Sequence, residues 1–423
     1  MSLESVIDQC YNRTMIIRKG FVFRLRPDAA TEATIRRTAG CCRFIWNEAL
    51  AVQKARLDRG ERVQSYEAMS AALLEWKRDS KRAFLSEVHS QALQQKLKDL
   101  RRAFDDFFDP SQPDRKFPVF KKKSRGVDSF RYPQGVKIDN RRIYLPKVGW
   151  VRFHKSREIE GEIENVTVKQ RAGKWHVSVQ TALEVADPIE RRDPVVGGDL
   201  GISRFLTLSD GTIFEPRNSF RRLEGRLARE QRKLSRKAKG SSNWKKEKAK
   251  IGRLHARIAD SRKDFLHKVS TAIANTHGKV VLEDLAVKDM SASARGTASE
   301  PGRNVRQKAR LNKGILDQGW GEFRRMLEYK MAWSGAALIL VPPCNTSRTC
   351  SVCGFVMETM PLACREWTCA DCGARHDRDL NAARNIEAAG HAVMACGSSP
   401  TVGRKQEPLE DFHVLQESSA FRP

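Results

Sequence analysis

Residues 364–386 read CREWTCADCGARHDRDLNAARNI. Cys369 and Cys372 form a C-x-x-C pair that runs within a few residues into Asp377 and Asp379, which open an Ala-rich segment of helical character. The pair is half of a metal clamp. The acids stand where a carboxylate meets the start of a helix, so a structural stitch and a chemical group share one loop.

The other half of the clamp lies upstream. Cys350-x-x-Cys353 precedes Cys369-x-x-Cys372 by fifteen residues, and two such knuckles supply the four thiolates that complete the tetrahedron zinc prefers, with bonds of about 2.3 Å. With sulfur at all four positions no place remains for water or substrate, so the zinc is expected to be structural and to stabilise a ribbon too small for its own core. Cys344 and Cys364 break the knuckle spacing. Together with Cys10, Cys41, Cys42 and Cys396 they read as ordinary small apolar residues, and ten cysteines in a reducing compartment do not suggest a disulfide framework.

Working outward from Asp379, two further carboxylates stand at the ends of short apolar runs. Asp199 closes the strand-like run in VVGGDLGISRF, and Glu283 closes GKVVLEDL. Two strand ends and one helix start can converge on a point. Hard oxygen ligands of this kind suit magnesium or manganese, and two such ions about 3.5–4 Å apart activate water and stabilise the leaving oxygen of a phosphodiester. Without cations the acids would raise one another's pKa, so convergence itself implies metal. Taken singly, each acid is also readable as a turn or helix-cap residue.

The composition names the partner. Across 423 residues, 78 Lys and Arg face 51 Asp and Glu, a formal charge of +27 that self-repels unless a polyanion neutralises it. Nucleic acid is therefore the expected ligand. No apolar run is long enough to span a membrane and MSLESVIDQCYNR has no apolar signal core, so a cytoplasmic, nucleoid-associated protein is expected.

The rest of the chain supplies the organisation. KGFVFRLRP, residues 19–27, alternates apolar with basic residues as a half-buried strand does. From Ala29 to Pro110 the period becomes helical, clearest in Leu93, Leu97, Leu100, Phe104 and Phe107. PDRKFPVFKKKSRG, residues 113–126, reads as a loop with a basic face, and Lys121, Lys122, Lys123 and Arg125 are its candidate nucleic-acid contacts. Period two returns from Phe130 to Glu184, so the helices read as an insertion into a β domain. Beyond Glu190–Val196 come a strand to Asp199, a hairpin around SDGT and two basic helices divided by KAKGSSN. Residues 290–313 read as a mobile loop, and the tail after Ala389 loses periodicity and reads as disordered.

The segments GGDLG, VVLEDLAVKDM, NTSRTCSVCG and CADCGARHDRDLNAARNI, with RFIWNEAL, FPVFKKK and GWGEFRRMLEYKMAWSG, resemble the transposon-encoded TnpB proteins and their relatives, the compact type V CRISPR effectors. The resemblance spans most of the chain. It implies a multidomain α/β architecture: a β-barrel wedge domain (1–28 and 129–190) with an inserted helical bundle (29–128), an RNase H-like (RuvC) nuclease domain (191–341 and 376–390), a zinc ribbon inserted at 342–375, and a tail from 391 to 423. It also implies an RNA-guided DNA endonuclease whose partners are a guide RNA and target double-stranded DNA; the sequence leaves the oligomeric state open, with a monomer preferred. Asp199, Glu283 and Asp379 match the family's catalytic, magnesium-binding triad, and residues 290–313 its active-site lid. Asp379 is preferred to Asp377 because the family's D-x-N-A pattern falls on Asp379–Ala382, leaving Asp377 as a cap or neighbour. Gly198, where a branched apolar residue is usual, and Ala286, where Asn is common, depart from the family. A DNA-binding repressor that does not cut and a transposase remain as alternatives.

Overall fold

The computed structural model describes residues 14–123, 128–191, 193–297, 299–361 and 363–396. Arg125, Cys10 and the tail 397–423 lie outside the described residues. Among the described residues Ile16–Val185 form one compact unit, and residues 186–396 belong to the second.

In the first unit, strand β1 (Thr14–Arg26) turns Phe21, Phe23 and Leu25 into the core and leaves Arg24 and Arg26 exposed, as the alternation of its sequence requires. The chain then turns at Pro27, and the Asp28 carboxylate accepts the Thr31 N–H at 2.8 Å to start α1 (Ala29–Asp58). Helices α2 (Tyr66–Arg78) and α3 (Ser90–Phe108) follow. Strands β2 (Ser129–Tyr132), β3 (Lys137–Asp139), β4 (Arg142–Leu145), β5 (Gly149–His154), β6 (Glu162–Arg171) and β7 (Lys174–Ala186) complete a sheet of order β2-β6-β7-β1-β5-β4-β3. The strand that precedes the helices thus lies inside the sheet made by the strands that follow them. One continuous core joins the two layers: Leu93, Leu97, Leu100 and Phe104 of α3 pack in the same cluster as Phe130, Tyr132, Val166 and Val168. The helices between Ala29 and Phe108 and the sheet therefore share one core.

The second unit is built on a five-stranded sheet of order β10-β9-β8-β11-β12, from β8 (Val195–Asp199), β9 (Leu206–Leu208), β10 (Ile213–Phe214), β11 (Lys279–Glu283) and β12 (Ala337–Val341). Its centre is parallel, β8 beside β11 beside β12. Parallel strands need crossovers, and helices supply them: α4 (Ser219–Ser235) and α5 (Ser242–Thr276) before β11, then the short α6 (Val287–Met290), α7 (Val305–Gln318) and α8 (Trp320–Trp333) before β12. Leu266, Val269 and Ile273 of α5 and Phe323 and Leu327 of α8 cover one face. Helix α9 (Arg378–Ala395) covers the other, reached through the hairpin β13 (Glu366–Thr368) and β14 (Arg375–Asp377).

Two glycines let α9 lie close on the sheet. A Cβ on Gly197 would stand 2.1 Å from the Ala383 carbonyl oxygen, and one on Gly390 would stand 2.3 Å from Val281 Cγ2. Gly198 points to the opposite face, where Leu282, Leu206 and Leu208 fill the space a larger residue would take. That departure from the family is compensated by leucines, and the register is regular, with Leu282 opposite Gly198.

Three expectations need correction. Residues 305–313 are not loop but the first part of α7, held down by Lys308 Nζ donating to Met290 O (2.7 Å) and by Asn312 donating to Ser291 O (2.9 Å). The last helix does not stop at Ala389. It runs to Ala395, because Val393 and Met394 pack against the cluster of Val281, Ile339, Val341 and Ile386. Of the cysteines read as small apolar residues, Cys41 and Cys42 are buried, but Cys344, in the connection after β12, and Cys396, at the end of α9, are exposed.

Candidate active site

Asp199 and Glu283 are the last residues of two neighbouring parallel strands, one step beyond the Gly198–Leu282 pair. Neighbouring strands run about 4.8 Å apart. Because side chains alternate, both acids emerge on the face that Gly197 and Val281 turn toward α9. Helix α9 begins there, with Asp379 in its first turn. The three carboxylates are brought together electrostatically: burial first, then the charges of Asp379 and Glu283, push the Asp199 carboxyl up to about 7. Arg378 and Arg365 pull the other way. Among the described residues the group of three or more ligand atoms lying mutually within 4.8 Å is that of four cysteines, so the three acids do not all lie that close together.

Asp377 does different work. Its Oδ1 accepts the N–H groups of Asp379 and Leu380, each at 3.0 Å, which makes it the cap that starts α9. Arg204 Nη1 donates to both of its oxygens, at 3.0 and 2.8 Å, and lies 3.6 Å from Asp379 Oδ2. Burial opposes ionisation here, but the Leu380 N–H and the Arg204 guanidinium hold the Asp377 carboxyl below the usual range. The cap and the neighbouring acid are thereby separated in role.

The four knuckle cysteines fit zinc. Their sulfurs all lie within 4.8 Å of one another, with Cys350–Cys372 at 3.7 Å and Cys353–Cys369 at 3.6 Å. A tetrahedron with bonds of about 2.3 Å has edges of about 3.8 Å. His376 Nε2 approaches Cys350 Sγ at 3.0 Å, and its ring stacks obliquely on Trp367 at 4.6 Å. Burial opposes it, but the N–H groups of Cys353 and Val352 and then His376 bring the Cys350 thiol down to about 6. Since β14 runs from His376 directly into α9, the second knuckle and the helix carrying Asp379 form one continuous stretch of ordered chain.

The basic loop of the first unit is more divided than its sequence suggests. Lys122 and Lys123 are exposed, whereas Lys121 turns inward, its ammonium 3.4 Å over the Trp46 ring. Asn47 clamps its backbone from both sides, accepting the Lys121 N–H at 2.7 Å and donating to its carbonyl at 3.0 Å. Burial first, then Lys96, lowers the Lys121 ammonium to about 7.

A stronger cationic surface escaped the sequence reading. Antiparallel pairing sets Arg24 opposite His154, Arg26 opposite Arg152, Arg142 opposite Arg152 and Tyr144 opposite Trp150. These side chains share the outer face of β1, β5 and β4, with Phe153, Val151 and Ile143 on the inner one. A cleft of about 660 Å³ there is lined mainly by basic residues, among them Arg26, Arg141, Arg142 and Arg152, with Asp139 paired to Arg142 at 2.6 Å. Trp150 is 46% exposed beside the Arg142 guanidinium. The signal was the alternation itself: the polar positions of FRLR and WVRFH are basic.

Comparison with known proteins finds relatives over most of the chain. Residues 176–294 match a family described as "Probable transposase", residues 320–386 one described as "Cas12f1-like, TNB domain", and residues 15–62 one described as "Helix-turn-helix domain". The last segment folds as β1 and one unbroken 30-residue helix. "Putative RNA-guided DNA endonuclease InsQ" of Escherichia coli (strain K12) is 50% identical over 396 residues, 93% of this chain and 98% of its own length. The chain belongs to the TnpB family. A second relative, "Putative RNA-guided DNA endonuclease" of Streptomyces pristinaespiralis, is 40% identical over 95% of this chain and 96% of its own. The fold is similar to that of the protein in a Cas12f1–sgRNA–target DNA complex solved by cryo-electron microscopy, with TM-score 0.51 and 15% identity over 88% of this chain and 99% of that one. The TnpB-family chain thus shares a multidomain α/β fold with that protein.

Proposed function

We propose that this chain is an RNA-guided DNA endonuclease that binds a guide RNA, recognises a short motif beside its target and hydrolyses DNA phosphodiesters with Asp199, Glu283 and Asp379. The observation that carries the reading is the meeting of two adjacent strand ends and one helix start as a half-buried acidic cluster, with the Asp199 carboxyl raised to about 7 by desolvation and by its two partners. The names and lengths of the relatives support it. In this reading the sheet of the second unit is the RuvC-like nuclease domain, the cysteine hairpin its zinc ribbon, and the first unit the wedge with its helical insertion.

The donor set fits a hard divalent cation: carboxylate oxygens, one of them on an acid that desolvation and its two acidic neighbours raise to about 7. Asp199, Glu283 and Asp379 would hold magnesium or manganese, which supplies the charge that makes water nucleophilic and stabilises the leaving oxygen. The chain's own residues set the geometry. Asp377 caps α9 and fixes where Asp379 emerges, Arg204 holds that cap, and the parallel register of β8 and β11 fixes Asp199 against Glu283. Sequence is read by base pairing, while basic side chains hold nucleic-acid backbones. The face of Arg24, Arg26, Arg142, Arg152 and His154, with Trp150 and Tyr144 to stack on bases, is suited to that work, as are Lys122 and Lys123.

Asp199→Ala should abolish cleavage while guide-dependent DNA binding persists; equal cutting by the variant would refute the assignment of the acids. The match to a transposase family over residues 176–294 makes strand transfer a second reading. Product analysis separates them: free cut ends support the nuclease, and joined DNA supports transposition.

A further inference from the structure

The structure assigns to Thr346 the positioning of Glu283, and to Asn381 and Asn385 the task of fixing Thr346 to the helix that carries Asp379. This inference rests on the proposed role of the three acids. It adds a hydroxyl and two carboxamides that hold two of those acids in one frame with the first cysteine knuckle.

The chain path makes the contact possible. Strand β12 ends at Val341, level with Glu283 across the parallel ladder, and Asp284 N–H donates to the Val341 carbonyl at 2.8 Å. Five residues later, Thr346 Oγ1 donates to Glu283 Oε1 at 2.7 Å. One carboxylate oxygen of Glu283 is thereby fixed. Between them Asn345 adopts a left-handed backbone (φ 51°), and its carbonyl accepts the N–H groups of Arg348 and Thr349, at 2.8 and 3.0 Å. The segment from Asn345 to Thr349 is therefore a closed turn, and it leads straight into Cys350.

That turn is fastened to α9. Asn385 Nδ2 donates to the carbonyls of Thr346 (2.8 Å) and Thr349 (2.7 Å). Asn381 Nδ2 donates to Thr349 O at 2.8 Å, and its Oδ1 accepts the Ser351 N–H at 2.9 Å. Asn381 is buried and stands one turn or less from Asp379 on the same helix. Glu283 is thus tied through Thr346 to α9, and Asp379 rides on α9 itself. A hydrogen bond to a ligating carboxylate orients it and spares it the loss of rotamer freedom when a cation arrives. The knuckle begins where this clamp ends, so its first cysteine and the two acids share one rigid frame.

The test compares Thr346→Val, which keeps the shape and loses the hydroxyl, with Thr346→Ser, which keeps the hydroxyl, and with Glu283→Gln as reference. The full chain with its guide RNA is assayed for cleavage across a magnesium series, and the manganese-induced rise in melting temperature of the full chain is titrated separately. Thr346→Val should raise the half-saturating cation concentration in both measurements by about tenfold, the lower end of what loss of a hydrogen-bond partner to a ligand costs. Thr346→Ser should restore it, with zinc content and the melting temperature without added manganese unchanged in both. Thr346→Val titrating like the parent overturns the inference, as does Thr346→Ser behaving like Thr346→Val. Loss of zinc in Thr346→Val also overturns it, since the residue would then serve the knuckle rather than Glu283. If Glu283→Gln still cuts, the proposed role of the acids fails first; if Glu283→Gln is dead and Thr346→Val is normal, only the positioning role fails.

Discussion

Asp199 shows what a single side chain reveals when its surroundings are known. An acid whose folded pKa is raised contributes fully below its unfolded value near 3.8 and loses that contribution as pH rises toward about 7, because the folded chain then holds a proton that the unfolded chain has released. Each pKa unit is worth about 1.4 kcal/mol. Asp199→Asn should therefore raise the melting temperature in magnesium-free buffer, and by more at pH 8 than at pH 6. A gain that is absent, or larger at pH 6, would contradict the acidic cluster. Lys121 carries the opposite lesson. It lies in a run of three lysines, and composition alone gives no means to tell which of them turns inward. Trp46 and Asn47, more than seventy positions earlier, decide it.

At the level of elements, the seating of α9 on β8 is the decisive contact. Gly197→Ala would drive a methyl into the Ala383 carbonyl and the Glu387 N–H. Overpacking of this kind costs roughly 1–3 kcal/mol. The variant should melt lower and cut more slowly, since Asp379 moves with the helix; full activity with lowered stability would show that α9 tolerates a shift. The cysteine hairpin is the second such element. Cys350→Ser with Cys353→Ser should abolish zinc binding, measured by elemental analysis, and lower the melting temperature, because so small a hairpin buries little besides Trp367 and two cysteines. An unchanged melting temperature with no zinc would remove the ribbon from the account.

For the whole molecule, the net charge of +27 is the governing quantity. Neutralised phosphates release counterions, so each basic contact adds roughly 0.7–0.9 to the slope of log affinity against log salt. Replacing Arg26, Arg142 and Arg152 with Ala should weaken guide RNA binding and lower that slope by about 2–3 in a filter-binding series. An unchanged slope would show that the outer face of β1, β5 and β4 does not meet a backbone. Among the described residues no helix is long and apolar enough to cross a membrane.

The sequence by itself carried what short-range pattern can encode. The spacing of two C-x-x-C pairs, the carboxylates that close apolar runs, the D-x-N-A start of α9 and the excess of basic residues are all local or compositional, so they are readable without coordinates. Tertiary structure alone decided which residues support them. Thr346 meets Glu283 across 63 positions and Arg204 meets Asp377 across 173, contacts for which no local periodicity exists. Gly197 is needed because a helix nearly two hundred residues later lies on it. The helical end of the supposed 290–313 loop and the last turns of α9 were misread for the same reason. Their order comes from packing against β11 and β12 and from bonds to Met290 and Ser291, and burial against a distant surface leaves no period of its own in a short polar segment.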